Sequence, residues 1–361
     1  MNSEARPTVP GPPRPGERSQ PDPAPSGRDP LSLPAATGVG SLPGTDAAAA
    51  LRLVFAELGE RPGVPFLPEL PERGVGADMI GRTAAFLVDM YAEVQPSGWR
   101  IVDRPGRDHG RALSHLGRDL DLLEEHTQEY SGPLKIQAAG PWTLAAAVEL
   151  LHGDKMLADP GAVRDLAASL ADGLAVHLGD VRKRVPGAEV LLQLDEPALP
   201  GVLRGTVPTA SGFGRLRAVE EQVARETLRQ VIDAAGVPVI VHCCAPNVPF
   251  TMLRAAGAAG ISFDFALVPA RADDDLGEAI EAGTSLFAGI VPSTDPKGAE
   301  PTAKSLLDQV LALGRLGFAP DRLARSLAVT PACGLAGASP AWASRALRLC
   351  AQTARALQDA E

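Results

Sequence analysis

Val239-Ile240-Val241-His242-Cys243-Cys244-Ala245-Pro246 is an apolar, β-branched run that leads straight into two kinds of soft metal ligand. A strand covered on both faces has this composition. In an extended chain, residues i and i+2 point the same way, so His242 and Cys244 share a side while Cys243 faces the other. An imidazole and a thiolate at one strand end are half of a tetrahedral zinc site. Cys333 offers a second sulfur and Asp264 an oxygen. Sulfur ligands argue against magnesium or calcium. Zinc lowers the pKa of a thiol, so a substrate thiol would meet it as thiolate, the better nucleophile. Plainer readings stand beside this one. A buried cysteine is most often a small apolar side chain, and a buried histidine can be a satisfied core residue. Cys243-Cys244 lacks the C-x-x-C spacing of a redox pair. Cys243 reads as structural, and Cys350, between Leu349 and Ala351, reads as packing.

The elements that must position these residues follow from periodicity. Eight short apolar runs read as strands: Thr37–Gly40, Val64–Leu67, Leu134–Ala138, Val190–Leu194, Val237–Val241, Gly260–Phe263, Ser285–Ile290 and Leu327–Thr330. Amphipathic stretches between and after them read as helices, among them Met79–Val94, Arg111–Glu125, Gly161–Arg184, Leu216–Ala235 and Pro340–Ala360. Strand-then-helix repeated eight times predicts an α/β fold, a closed parallel (β/α)8 TIM-type barrel, with an open doubly wound sheet as the alternative. The 66 residues between the second and third runs exceed one crossover and predict an extra helical excursion. In such a barrel the chemistry lies at the C-terminal strand ends. Those ends carry Ser41, Glu69, Asp195-Glu196, His242 and Cys244, Asp264, then Ser293, Thr294 and Asp295, and Cys333. Each also has a bland reading. Asp195-Glu196-Pro197 can simply end a strand, Gly38–Gly44 can be a plain turn, and Glu69 can be a solvated loop carboxylate.

A chain of 361 residues, 45% hydrophobic, can bury a large core. A net charge of −10 repels nucleic acid and anionic membranes, so neither is expected as a partner. No apolar run is long enough to span a bilayer and no signal-peptide pattern opens the chain, which predicts a cytoplasmic protein. Four cysteines, two of them adjacent, suit a reduced compartment and a metal better than a disulfide framework. Residues 1–34 are rich in Pro, Gly, Ser and charge and predict a disordered tail, leaving residues 35–361 as one barrel domain.

Several motifs, in one order, resemble a known family. The chain resembles the catalytic C-terminal barrel of cobalamin-independent methionine synthase, including its short archaeal forms, over most of residues 37–337. Thr37-Gly-Val-Gly-Ser41-Leu-Pro-Gly-Thr45 is similar to the family's opening "IGSFPxT", and Gly140-Pro141-Trp142-Thr143 to its "GPVT". Gln193-Leu-Asp195-Glu196-Pro197-Ala198-Leu199 is similar to "QxDEPAL", Val241-His242-Cys243-Cys244 to the "HxC" strand, and Thr330-Pro-Ala-Cys333-Gly334-Leu335 to the start of "NPDCGLKTR". The resemblance implies a zinc enzyme that transfers a methyl group to homocysteine, from a folate or a corrinoid protein, to form methionine. It implies that His242, Cys244 and Cys333 ligate zinc, with Asp264 where the family has a glutamate ligand. It implies that Ser41 holds the substrate carboxylate and that Asp195, with Glu69, takes its amino group.

The sequence departs from that pattern in three places. Nothing in residues 1–34 corresponds to the folate-binding half of the long members. Asp264 is one methylene shorter than glutamate. The family's "DIHSP", whose histidine is the proton donor, corresponds to Gly289-Ile-Val-Pro-Ser-Thr294-Asp295-Pro296, which has none, so Asp295 or Thr294 becomes the candidate catalytic group. These departures keep two other readings open: a uroporphyrinogen-decarboxylase-like barrel enzyme acting with a corrinoid or another thiol, and a zinc-binding barrel without turnover.

Overall fold

The computed structural model describes residues 33 and 35–359; the tail predicted over residues 1–34 lies, but for Leu33, outside them. Seven strands form one parallel sheet: β1 (Ala35–Ala36), β4 (Gly132–Ala139), β5 (Ala188–Asp195), β6 (Val239–Cys243), β7 (Gly260–Asp264), β8 (Ser285–Val291) and β9 (Leu327–Pro331). Their order is β1-β9-β8-β7-β6-β5-β4, so β1 and β4 are the two edges. A separate antiparallel hairpin joins β2 (Tyr91–Gln95) to β3 (Gly98–Val102).

The segment 63–69 lies between those two edges and closes the ring. On one side Ala36 donates to Pro62 O at 2.9 Å and Val64 donates to Ala36 O at 2.7 Å. On the other, Lys135 donates to Pro65 O at 2.9 Å and Leu67 donates to Lys135 O at 3.0 Å. This is the second predicted run, Val64–Leu67, and it takes an eighth stave's place without becoming a regular strand. Pro62, Pro65 and Pro68 lack the N–H groups that a continuous ladder needs. The curled parallel α/β architecture is therefore the one expected from the repeat of strand and helix.

One predicted helix is cut short. The helix predicted over 79–94 stops at Ala84, and Tyr91 to Val94 belong to the hairpin. Asp89 sits at φ 56°, which breaks the helical path. Tyr91-Ala-Glu-Val-Gln-Pro-Ser-Gly-Trp-Arg-Ile-Val102 alternates about a Pro-Ser-Gly turn, a hairpin signal that overrides the helical spacing. The excursion after the second run is thus a short helix, a hairpin and the long helix Arg107–His126.

Inside the ring, side chains fill layers. Ala35, Val64, Leu191, Ile240, Phe287 and Ala328 form a small apolar cluster apart from the main core. Gly260 makes room for it, since a Cβ there would lie 2.7 Å from the Phe287 ring. Two residues further along their strands stand Thr37, Gln193, His242 and Thr330, joined by Gln137 from β4 and Ser262 from β7, all buried. The period of two carries the interior from an apolar plug to a polar layer, and the next step reaches the rim.

Candidate metal and amino-acid site

His242 and Cys244 leave β6 on the same side, and Cys333 comes to them from the turn after β9. One donor atom from each lies within 4.8 Å of the others. The two sulfurs are 3.2 Å apart and both thiols are free. The His242 ring is 2% exposed. Its Nδ1 shares a 2.8 Å hydrogen bond with the Ser262 hydroxyl, which fixes the ring's orientation. Its Nε2 is buried with no hydrogen-bond partner. A buried unpaired nitrogen is costly, and a metal ion bound there would satisfy it. The hydrogen bond between the sulfurs, with help from His242, holds the Cys333 thiol well below the usual range, while the same bond drives Cys244 up. One nitrogen and two sulfurs around one point fit zinc.

Asp264 ends β7 but stands outside that trio. Its Oδ1 accepts from the Ala266 N–H at 2.9 Å and caps the short turn Phe265–Leu267. Asp295 and Thr294 also stay away from the cavity. The Asp295 carboxylate accepts from the Ser339 N–H at 2.7 Å and from its hydroxyl, at the start of the helix Pro340–Gln358. That Ser339 pairing keeps the Asp295 carboxyl below the usual range, so it is ionised at neutral pH. An ionised helix-capping carboxylate is no proton donor.

A cavity of about 240 Å³ opens beside the trio, lined by His242, Cys244 and Cys333 and also by Ser41, Glu69 and Asp195. Ser41 follows Gly40, whose φ of 156° and whose missing Cβ (2.9 Å from Gln137 Cγ) let the turn pass close to β4. Gly334 lies so near that a Cβ there would come within 2.1 Å of Ser41 Oγ. Leu335 donates to Ser41 O at 2.9 Å, tying the turn after β9 to the Ser41 turn.

The two carboxylates are buried. Burial pushes Glu69 up to about 7, against the pull of Arg82, whose Nε is 3.9 Å away. Burial pushes Asp195 up to about 6, against His242 and Lys135. Glu196, though adjacent in sequence, turns the other way. It accepts from Trp142 N–H at 2.9 Å and from Thr143 N–H and hydroxyl at 2.8 Å each, and so caps the helix Pro141–Ala147. A Cβ at Gly140 would strike its carboxylate at 2.3 Å.

Several groups beneath the cavity escape the motif reading. Lys135 is fully buried, and its Nζ donates to Val39 O at 2.9 Å and to Gln193 Oε1 at 2.8 Å. Gln193 Nε2 donates to Asp195 Oδ1 at 2.7 Å and to Val39 O at 2.8 Å. Gln137 Nε2 reaches Glu69 Oε1 at 3.2 Å. Behind Glu69, Asp119 receives Arg73 at 2.7 and 2.8 Å and also pairs with Arg82, and all three are buried. The visible signal for the first group is alternation. Lys135 and Gln137, and likewise Gln193 and Asp195, are polar at every second place in otherwise apolar strands. No comparable signal marks Arg73, Arg82 or Asp119, which lie on a turn and two helices.

Among the described residues, no helix is long and apolar enough to cross a membrane. Residues 33–356 match the family model described as cobalamin-independent synthase, catalytic domain. No curated protein matches the sequence significantly. A B12-independent methionine synthase from Shewanella sp. W3-18-1, solved in complex with selenomethionine, is similar in fold: TM-score 0.57 at 14% identity, over 91% of this chain and 98% of that one. The carboxyl transferase domain of Rhizobium etli pyruvate carboxylase, solved with 3-bromopyruvate, matches 64% of this chain and 43% of that chain at 14% identity, with a TM-score of 0.25 that carries no weight. With the family model spanning nearly the whole barrel, the chain belongs to the cobalamin-independent synthase family, in its catalytic domain, and is a methyltransferase.

Proposed function

We propose that the chain methylates the thiol of homocysteine to form methionine, with zinc held by His242, Cys244 and Cys333. The observation that carries this reading is a single cavity of amino-acid size whose lining combines the three thiol-directed donors with a serine and two carboxylates. When bound, zinc supplies the positive charge that lowers the pKa of a nearby thiol. The chain's own residues do the rest. The Ser41 hydroxyl binds the substrate carboxylate. Asp195 and Glu69 accept the ammonium, as paired carboxylates in a water-poor pocket do strongly. An amino acid gripped at that end extends its side-chain sulfur toward the His242, Cys244 and Cys333 wall. The thiol gives up its proton, the thiolate sulfur forms the new S–CH3 bond as the methyl–donor bond breaks, and that electron pair leaves with the donor, the released proton balancing its charge. Selenomethionine in the Shewanella enzyme is consistent with an amino-acid pocket of this kind.

The test is zinc content together with the X-ray absorption edge of the full-length protein. Near-stoichiometric zinc that gains one sulfur neighbour on adding homocysteine is the expected result. Product formation is then assayed with methyltetrahydrofolate and, separately, with a methylated corrinoid protein. Protein purified without chelator that holds no zinc would overturn the reading.

A pH effect follows from Glu69. Its carboxyl, raised to about 7, must be ionised to accept an ammonium, so affinity for methionine (which has no titrating thiol) falls as pH drops from 7.5 to 5.5. The loss approaches tenfold per pH unit below the pKa, and Asp195, raised to about 6, adds to it at the lower end. Glu69→Gln is expected to remove the step near 7 and leave the lower one, as read by calorimetric titration. A wild-type affinity that stays flat across this range would remove Glu69 from the ammonium site.

A further inference from the structure

Lys135 is the one cation sunk in the barrel interior below the cavity among the described residues, and none of its bonds is to a carboxylate. Its two acceptors are chosen differently. Gln193 Oε1 is the first, and capturing that oxygen forces the Gln193 NH2 group to face Asp195 Oδ1 and Val39 O. An amide left to itself can flip; one whose oxygen holds an ammonium cannot without losing a charge-assisted bond. Val39 O is the second, and it receives both Lys135 and Gln193 two residues before Ser41. The Phe66 ring, with its centroid 5.2 Å from Nζ, covers the lysine from another side. The charged groups facing it are Asp195 and Glu69, with burial lowering its pKa to about 8, so it stays protonated at neutral pH.

We infer that Lys135 is a positioning residue: through the Gln193 amide it sets the Asp195 carboxylate, and through the Val39 carbonyl it sets the turn that carries Ser41. One buried ammonium thereby fixes both groups that meet the two ends of an α-amino acid. The inference rests on the reading of this cavity as an amino-acid site. A lysine kept only to fill space would matter equally to every ligand. A lysine that orients Asp195 matters to ligands with an ammonium.

The experiment uses the full-length, zinc-loaded protein and calorimetric titration with two thiols, homocysteine and its desamino counterpart 4-mercaptobutanoate. Lys135→Met keeps the length and loses the charge and donors. Gln193→Met leaves the Lys135 bond to Val39 O in place while removing the Gln193 bonds to Lys135, to Val39 O and to Asp195, so it serves even if the first variant fails to fold. Each variant is expected to weaken homocysteine by about tenfold to a hundredfold, the range for a lost charge-assisted network. Binding of 4-mercaptobutanoate should stay within about twofold in Gln193→Met, and the double variant should be no weaker than the worse single one, because both act through one chain of bonds. Equal weakening of both thiols, or additive losses, would overturn the positioning role. If the wild type binds the desamino thiol as tightly as homocysteine, the amino-acid reading of Asp195 itself is what fails, and the inference falls with it.

Discussion

Cys333→Ala is expected to yield a folded barrel without zinc and without measurable methyl transfer. Of the three donors, Cys333 alone comes from a different part of the chain, across the turn after β9, while His242 and Cys244 share β6. Complete sites bind zinc by about 10–16 kcal/mol in apparent terms, so one ligand of such a set carries on the order of 3–4 kcal/mol, several hundredfold in affinity. The remaining imidazole and thiol cannot hold the ion against ordinary buffers. The matched control is Cys243→Ala. That thiol is fully buried on the opposite side of the strand, where burial pushes its pKa up to about 12, and it takes no part in the trio. Its loss costs packing, roughly 1–2 kcal/mol, and should leave metal content intact. Zinc retained at one per chain in Cys333→Ala, or lost equally in Cys243→Ala, would sink the assignment of ligands.

Asp119→Ala is expected to be the most damaging change to stability away from the cavity. Asp119 is the shared partner of two buried guanidiniums, Arg73 and Arg82. Burial works to raise its pKa, but the two arginines outweigh it and hold the carboxyl below the usual range. Removing the carboxylate strands two cations in the protein interior, which costs about 3–5 kcal/mol. Urea unfolding measures it, and a change under about 1 kcal/mol would contradict the picture. The same variant carries a second readout. Arg82 lies 3.9 Å from Glu69 and, freed from Asp119, turns its full charge on that carboxylate. The Glu69 pKa should then drop from about 7, and the acid limb of methionine binding should move to lower pH. Lost stability without that movement would mean that Arg82 does not act on Glu69.

The fold and the His242–Cys244 half of the candidate trio are readable from residue spacing because both depend on local rules, whereas Cys333 is 89 residues from Cys244. The strand-helix repeat predicts eight strands, of which seven ring positions are regular strands and one is the segment 63–69, and the i, i+2 rule puts His242 and Cys244 on one side. The first strand lies two residues before the predicted run Thr37–Gly40. The regular pairing is at Ala35–Ala36, and the glycines of Thr37-Gly-Val-Gly40 carry the chain into the Ser41 turn instead. Spacing alone predicts a helix in place of the first strand of the 91–102 hairpin because Met79–Val94 satisfies helical spacing until Asp89 breaks it. What the spacing could not tell was how each rim carboxylate is used. Asp195 and Glu196 are neighbours, yet one faces the cavity and the other caps a helix. Asp264 and Asp295 sit at strand ends like Asp195, yet each serves a nearby backbone N–H. The choice depends on which donors the fold brings alongside, and those come from distant segments: Ser339 for Asp295, Trp142 and Thr143 for Glu196. The Arg73–Asp119–Arg82 cluster was silent for the same reason, being assembled across 46 residues of chain.

The proline-studded stave also has a mechanical meaning. It has a seam on each side, and the one toward the Ser41 turn ends where Leu42 donates to Glu69 O at 2.9 Å and Glu69 donates to Gly40 O at 3.1 Å. Ser41 and Glu69 face each other across that join as a parallel bridge. A molecule gripped by both would work as a clasp, and part of its affinity would be spent holding the hoop shut. Occupancy would then stiffen the barrel at the seam where the ligand binds.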